Sequence, residues 1–277
     1  MKMTVLVDNI GTEELPGEWG LSICIEHKGQ LWLLDAGQSD LHLRNAEKLG
    51  LDLSLIDHAV LSHAHYDHAD GLKVFLDVNS RADLLVAAGA GEYCWKIKDG
   101  QWKYIGIAEG LLAKAGKRLR RIACTEQIEE DVYIVPHTTK GLEEKGRAEQ
   151  MYVREGEKAM PDDFSHEQSL VFETAQGLVI FNSCSHAGAD IIVSEVMQAL
   201  PGKALCALIG GCHLFNKTEE QVRAFARRLT NTGIKMLCTG HCTGEAAFAL
   251  LQEEMGPKAV QFHTGFTMAF AEPSSSF

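Results

Sequence analysis

Apolar and polar residues alternate through Lys2–Val7, and mostly apolar runs follow at Leu21–Glu26 and Gln30–Asp35. This pattern predicts three strands, with Lys28-Gly29-Gln30 turning a hairpin. Leu41–Leu49 changes to helical spacing and stops at Gly50. Ser54–Ile56 reads as a short turn, His58–Leu61 as a buried strand, Gly71–Leu76 as a helix start and Asp83–Ala87 as a strand. The same rhythm restarts late in the chain. Ser169–Glu173 and Leu178–Asn182 form a strand pair around Gln176-Gly177, Ile191–Leu200 a helix that Pro201 ends, and Ala204–Ile209 an apolar strand. Thr218-Glu-Glu-Gln221 is a capping box opening a helix to Leu229. Ile234–Cys238 is a strand, Glu245–Met255 a helix and Ala259–Phe262 a last strand. Two similar halves fit one α/β domain over 1–277, a sandwich of two sheets with helices outside.

Between about 89 and 156 the periodicity weakens, leaving the charged stretches Lys114–Arg121 and Gly141–Glu149 and one strand at Val132–Val135. Runs of charge read as solvated faces.

The polar residues that break the pattern are concentrated where strands end. Leu61–Leu72 reads LSHAHYDHADGL and places His63, His65, Asp67 and His68 within six positions, directly after a strand. Imidazole nitrogen and carboxylate oxygen are the ligands that zinc and similar divalent cations take. At an extended end, His63 and His65 point one way while Asp67 and His68 turn towards a neighbouring point, which suits two adjacent metals. His186 follows Leu178–Asn182, and His241 sits in Gly240-His-Cys-Thr-Gly244 after another strand. His213 follows Gly210-Gly-Cys and reads as a substrate contact or general acid, or as a packed histidine. His166 is a weaker candidate, and His27, His42, His58 and His137 fall at surface or turn positions.

The chain has 277 residues, is 45% hydrophobic and can bury a substantial core. Its net charge of −12 disfavours binding to nucleic-acid backbone. No run approaches the roughly 20 apolar residues of a membrane helix, and no leader is visible before Asp8. Eight cysteines without CxxC spacing are no disulfide framework, so a reducing cytoplasm is the expected setting. Neither a phosphate-binding GxxxxGK[ST] loop nor a Gly-x-Ser-x-Gly elbow occurs.

HAHYDH resembles the HxHxDH signature of the metallo-β-lactamase fold superfamily at all four informative positions. Asp35 in LLDAGQS resembles its strand-end Asp-x-Gly, Cys184-Ser-His186-Ala-Gly its central ligand region, and Thr239-Gly-His241 its last histidine motif. With EWGLS, GGCHL and GHCTG, the chain is similar to the branch of the synthase that joins a dihydropterin to a ribofuranosyl-aminobenzene phosphate.

The resemblance implies an αββα sandwich with one or two divalent cations. Zinc is the first expectation, with manganese, iron or magnesium as alternatives. It carries His63, His65 and His186 to a first metal, and Asp67, His68 and His241 to a second. The usual bridging aspartate is replaced by Cys184 or missing; a thiolate there can ligate zinc or be inert. The resemblance further implies that part of the 89–156 insert caps the site. Asp35 is the candidate acceptor for a ligating imidazole, or a turn former before Gly37. Asp67 and His213 are the catalytic candidates.

The expected activity is metal-hydroxide hydrolysis of a small ester-like or phosphorylated metabolite. The alternatives are metal-assisted transfer with pyrophosphate departure, and a non-catalytic metal or ligand sensor. Helix starts at Ala187–Asp190 and Thr243–Ala246 put free N–H groups beside the candidate ligands, where a phosphate is favoured. The expected partner is a small molecule, with neither nucleic acid nor membrane.

Overall fold

Strands covered on both faces need apolar side chains at nearly every position, and this chain supplies two such sets. The computed structural model describes residues 1–272. One sheet runs, in spatial order, Thr267–Ala269, Lys2–Val7, Ser22–His27, Gln30–Leu34, His58–Val60, Asp83–Ala87 and Leu119–Ile122. The other runs Ala259–Gln261, Met236–Thr239, Leu205–Ile209, Gly177–Phe181, Gln168–Thr174, Val132–Pro136 and Glu126–Glu129.

Successive side chains divide between layers, as the two-residue period of a strand requires. Trp32, Leu34, Val60 and Leu85 meet Phe172, Val179, Phe181 and Ile209 between the sheets. Leu33, Ala59, Leu84 and Val86 face the helices Leu41–Lys48 and Leu72–Val78. On the far side, Val171, Ile180, Leu208 and Leu237 face Ala189–Ala199, Glu219–Asn231 and Glu245–Met255. The result is four layers, αββα.

Each sheet is antiparallel at one end and parallel at the other. Gln30–Leu34, His58–Val60 and Asp83–Ala87 run parallel in the first. Gly177–Phe181, Leu205–Ile209 and Met236–Thr239 do so in the second. Parallel strands deliver their C-terminal ends to one edge, where binding sites of open α/β sheets form. Asp35, His63, Cys184, His213 and His241 all follow such ends.

The stretch expected to be irregular is built largely of strands. Leu119–Ile122 completes the first sheet, and Glu126–Glu129 and Val132–Pro136 complete the second. Cys94–Lys98, Gln101–Tyr104, Met151–Glu155 and Lys158–Pro161 make a separate antiparallel sheet. Three histidines expected at the surface are instead buried. His27 packs edge-on against Phe172, His42 turns Nδ1 to the Ser39 carbonyl, and His137 turns Nδ1 to Glu195. His27 lies on a strand, His42 on a helix and His137 directly after Val132–Pro136, and packing from neighbouring elements covers them, which local polarity does not reveal.

All eight cysteines are free thiols. Among the described residues no helix is long and apolar enough to cross a membrane.

The capping box at Thr218 is formed: its hydroxyl accepts the Gln221 N–H, and the Gln221 side chain accepts the Thr218 N–H. Thr218→Ala is therefore expected to cost about 1 kcal/mol of stability, read as a lowered urea midpoint with an unchanged slope.

Candidate metal centre

The loop after His58–Val60 is set by one carboxylate. Asp35, fully buried and at φ 56°, accepts the Ser62 N–H at 2.7 Å and the Ser62 hydroxyl at 2.7 Å. It also accepts Nδ1–H of His68 at 2.8 Å. Ser62 Oγ, having donated to Asp35, accepts from Nδ1 of His63 at 2.8 Å. His241 donates Nδ1–H to Asn9 Oδ1 at 3.0 Å. In all three rings the acceptor fixes Nδ1 as a donor; His63 and His241, held neutral by burial, are left with a lone pair on Nε2.

Those lone pairs converge. His63, His65 and His186 each bring a ring nitrogen within 4.8 Å of the others. Nε2 of His63, Nε2 of His65 and both nitrogens of His186 are buried with no hydrogen-bond partner among the described residues. Burial, followed by repulsion from neighbouring imidazoles, holds all three well below the usual histidine range, so they stay neutral. Neutral, unpartnered imidazoles facing one point are the donor set of a divalent cation, and the residues fit one.

A second group adjoins the first. Nε2 of His68 lies 3.1 Å from Nε2 of His241, and Asp67 Oδ2 is 3.7 Å and 3.6 Å from them. Two ring nitrogens at that distance need a proton or a cation between them. Burial opposes charging His68, but Asp67 and Asp35 outweigh it and lift the group to about 9. Cys184 Sγ is 3.3 Å from Nε2 of His68. It shares one 4.8 Å cluster with His63 and His68, another with His186 and His213, and a third with His241 and Cys242. The thiol therefore sits between the two groups, where a bridging ligand would act.

The structure brings together every sequence-predicted ligand. His213 joins the same wall, its ring 4.5 Å from that of His186; neither nitrogen makes a hydrogen bond among the described residues, and Nε2 lies 3.9 Å from Glu149. Sequence reasoning missed Cys242, whose sulfur is 3.4 Å from that of Cys184 and accepts the His213 N–H. Its position next to His241 is the only signal the sequence offers. His166 is also closer than expected: Nδ1 accepts the Ala64 N–H at 3.2 Å, and Nε2 donates to Asp162 at 3.0 Å. With both nitrogens engaged, His166 pins the peptide between His63 and His65 and has no lone pair for a cation.

A cleft of about 370 Å³ opens over these groups. Trp19 and Phe215, 40% and 45% exposed, meet edge-to-face at 5.4 Å along it. Lys96, Lys98 and Lys103 of the separate sheet also line it. Among the described residues Asp67 is the only acidic one in the lining. None of the three lysines has a carboxylate partner within 4 Å among the described residues. That sheet is tied to the metal loop: Tyr66 N–H donates to the Ile105 carbonyl at 3.0 Å, and His65 bridges Gly106.

Fold and site define an αββα protein with a candidate metal centre at the edge of its sheets, and comparison with known proteins agrees. The sequence profile of the metallo-beta-lactamase superfamily matches residues 20–241, and the chain belongs to that superfamily. It is 26% identical over 239 residues to the 7,8-dihydropterin-6-methyl-4-(beta-D-ribofuranosyl)-aminobenzene-5'-phosphate synthase of Methanocaldococcus jannaschii, covering 82% of this chain and 80% of that one. An uncharacterised protein of the same organism is 28% identical over 253 residues, covering 90% and 93%. The crystal structure of Tm1679, described as a metal-dependent hydrolase of the beta-lactamase superfamily, superposes with a TM-score of 0.82 at 24% identity. It covers 98% of this chain and 100% of that one.

Two outcomes follow for the metal-loaded protein. Asp35→Asn, which weakens the acceptor behind His68 and Ser62, is expected to lower metal affinity about 10–100-fold, measured by competition with a chelator. Cys184→Ala is expected to reduce bound metal per chain while leaving the His63–His65–His186 site filled; unchanged stoichiometry by elemental analysis would show that the thiol is not a ligand.

Proposed function

We propose that the protein is a metal-dependent enzyme that cleaves an ester or phosphoester bond in a small phosphorylated metabolite by attack of water. The observation that carries this reading is the lysine-lined cleft. In a chain of net charge −12, three lysines without a carboxylate partner among the described residues line a space sized for a small molecule together with His65, His186 and His241, which burial keeps neutral. An anionic group is what such a lining attracts.

His63, His65 and His186 would hold one cation; Asp67, His68, His241 and Cys184 would hold a second. Such a cation, when bound, acidifies a coordinated water and polarises an ester or phosphoryl oxygen. Asp67 orients the attacking water and takes its proton on a carboxylate oxygen. As the new bond to carbon or phosphorus forms, the bond to the leaving oxygen breaks. His213, whose Nε2 lies 3.9 Å from Glu149 and whose ring nitrogens make no hydrogen bond among the described residues, gives that oxygen a proton. Lys96, Lys98 and Lys103 bind the phosphate and orient the substrate. Trp19 and Phe215 offer apolar faces to the remainder of the molecule.

A second reading, transfer with departure of pyrophosphate, is favoured by the relative that is a synthase. Turnover in ¹⁸O-labelled water separates the two, since hydrolysis puts the label into product and transfer to an organic acceptor does not.

The test of the substrate class is a screen of the metal-loaded protein on neutral esters, lactones, phosphomonoesters and phosphodiesters. Activity is expected on phosphorylated compounds. Lys96→Ala and Lys103→Ala are each expected to raise KM about tenfold, equivalent to ~1.4 kcal/mol, with bound metal unchanged. Turnover confined to neutral esters, insensitive to both substitutions, would refute the reading.

A further inference from the structure

His186 and His213 line a second cavity besides the cleft, about 460 Å³ in volume, on the side of the helix Ala189–Ala199. Its charged lining is Lys145, Glu149, Asp190, Lys217 and Arg228. Two of the three cations are already matched: Lys217 contacts Glu149, and Arg228 Nε donates to Asp190 at 2.9 Å. Lys145 is the exception. No carboxylate among the described residues lies within 4 Å of its ammonium, although Glu167, Glu149 and Asp190 are the nearest acids in its field. Burial, the largest influence, pulls Lys145 below the usual lysine range.

The lysine is held over the start of an 11-residue helix. A Cβ built on Gly188 would lie 3.4 Å from Lys145 Nζ. Gly188 supplies no side-chain cap, so the first-turn N–H groups at Ala189 to Ile191 have no acceptor among the described residues. A third observation is independent of both. His186 is 2% exposed and lines this cavity as well as the cleft; of its two ring nitrogens, both without a partner among the described residues, a cation would take one and leave the other unpartnered.

We infer that this second cavity binds a phosphate monoester group, with Lys145 and the first turn of Ala189–Ala199 as its donors. The protein would then take two anionic groups, one on each side of the His186–His213 wall. Either one substrate carries both, or two substrates each carry one. The inference deepens the proposed function, which supplies the first of the two groups.

Inorganic phosphate binding to the metal-loaded protein, measured by isothermal titration calorimetry, tests it without turnover. Wild type is expected to bind phosphate in the Lys145 cavity in addition to the cleft. Lys145→Ala should weaken one binding event at least tenfold, Lys145→Arg should retain it, and metal content should be equal in all three. Lys103→Ala should weaken only the other event. Phosphate binding by Lys145→Ala indistinguishable from wild type, with Lys145→Arg also unchanged, would overturn the inference. Because Lys103→Ala reports on the cleft, that result would leave the proposed function standing. Phosphate binding by Lys103→Ala indistinguishable from wild type would instead count against the reading of the cleft.

Discussion

Buried imidazole nitrogens without hydrogen-bond partners are the constraint on which the arrangement depends. Each unsatisfied polar atom in an interior costs about 1–3 kcal/mol, and His63, His65, His186 and His213 contribute several within one small volume. A fold tolerates such a cluster where a cation satisfies many lone pairs together. Everything around the cluster keeps those lone pairs available. Asp35, Ser62 and Asn9 take up the protons on the far sides of His68, His63 and His241, and burial keeps His63, His65, His186 and His241 neutral. The two sheets serve the same end by ending their parallel strands at one edge.

Much of this is readable from the residues. HAHYDH is legible because four donors fall in six positions after an apolar run, and alternation fixes most strands of both main sheets. The middle of the chain is not legible, for a physical reason. Leu119–Ile122 and Glu126–Glu129 are the last strands of their sheets and carry Arg120, Arg121, Glu126 and Glu129, charges that edge strands use against unwanted pairing. Those charges mask the apolar period. The separate sheet is obscured likewise: Trp95, Lys96, Lys103 and Tyr104 are half-buried or exposed and mix aromatic with charged residues.

The site divides along the same line. Donors that share a short motif can be found by spacing. Cys242 and His166 act through neighbours distant in sequence, Cys184 and Ala64, and only packing brings those together. Cys184 was open between ligand and bystander because a lone thiol carries no directional signal; its place between both histidine groups is a property of three strand ends at once.

The attachment of the separate sheet to the floor of the cleft has a mechanical consequence. The backbone links of Tyr66 to Ile105 and His65 to Gly106 fasten the lysine-bearing roof to the segment that carries the metal donors. Displacing that sheet would pull on the donor loop through the same two links. Remodelling it to suit a new molecule would therefore be felt in the spacing of the candidate donors.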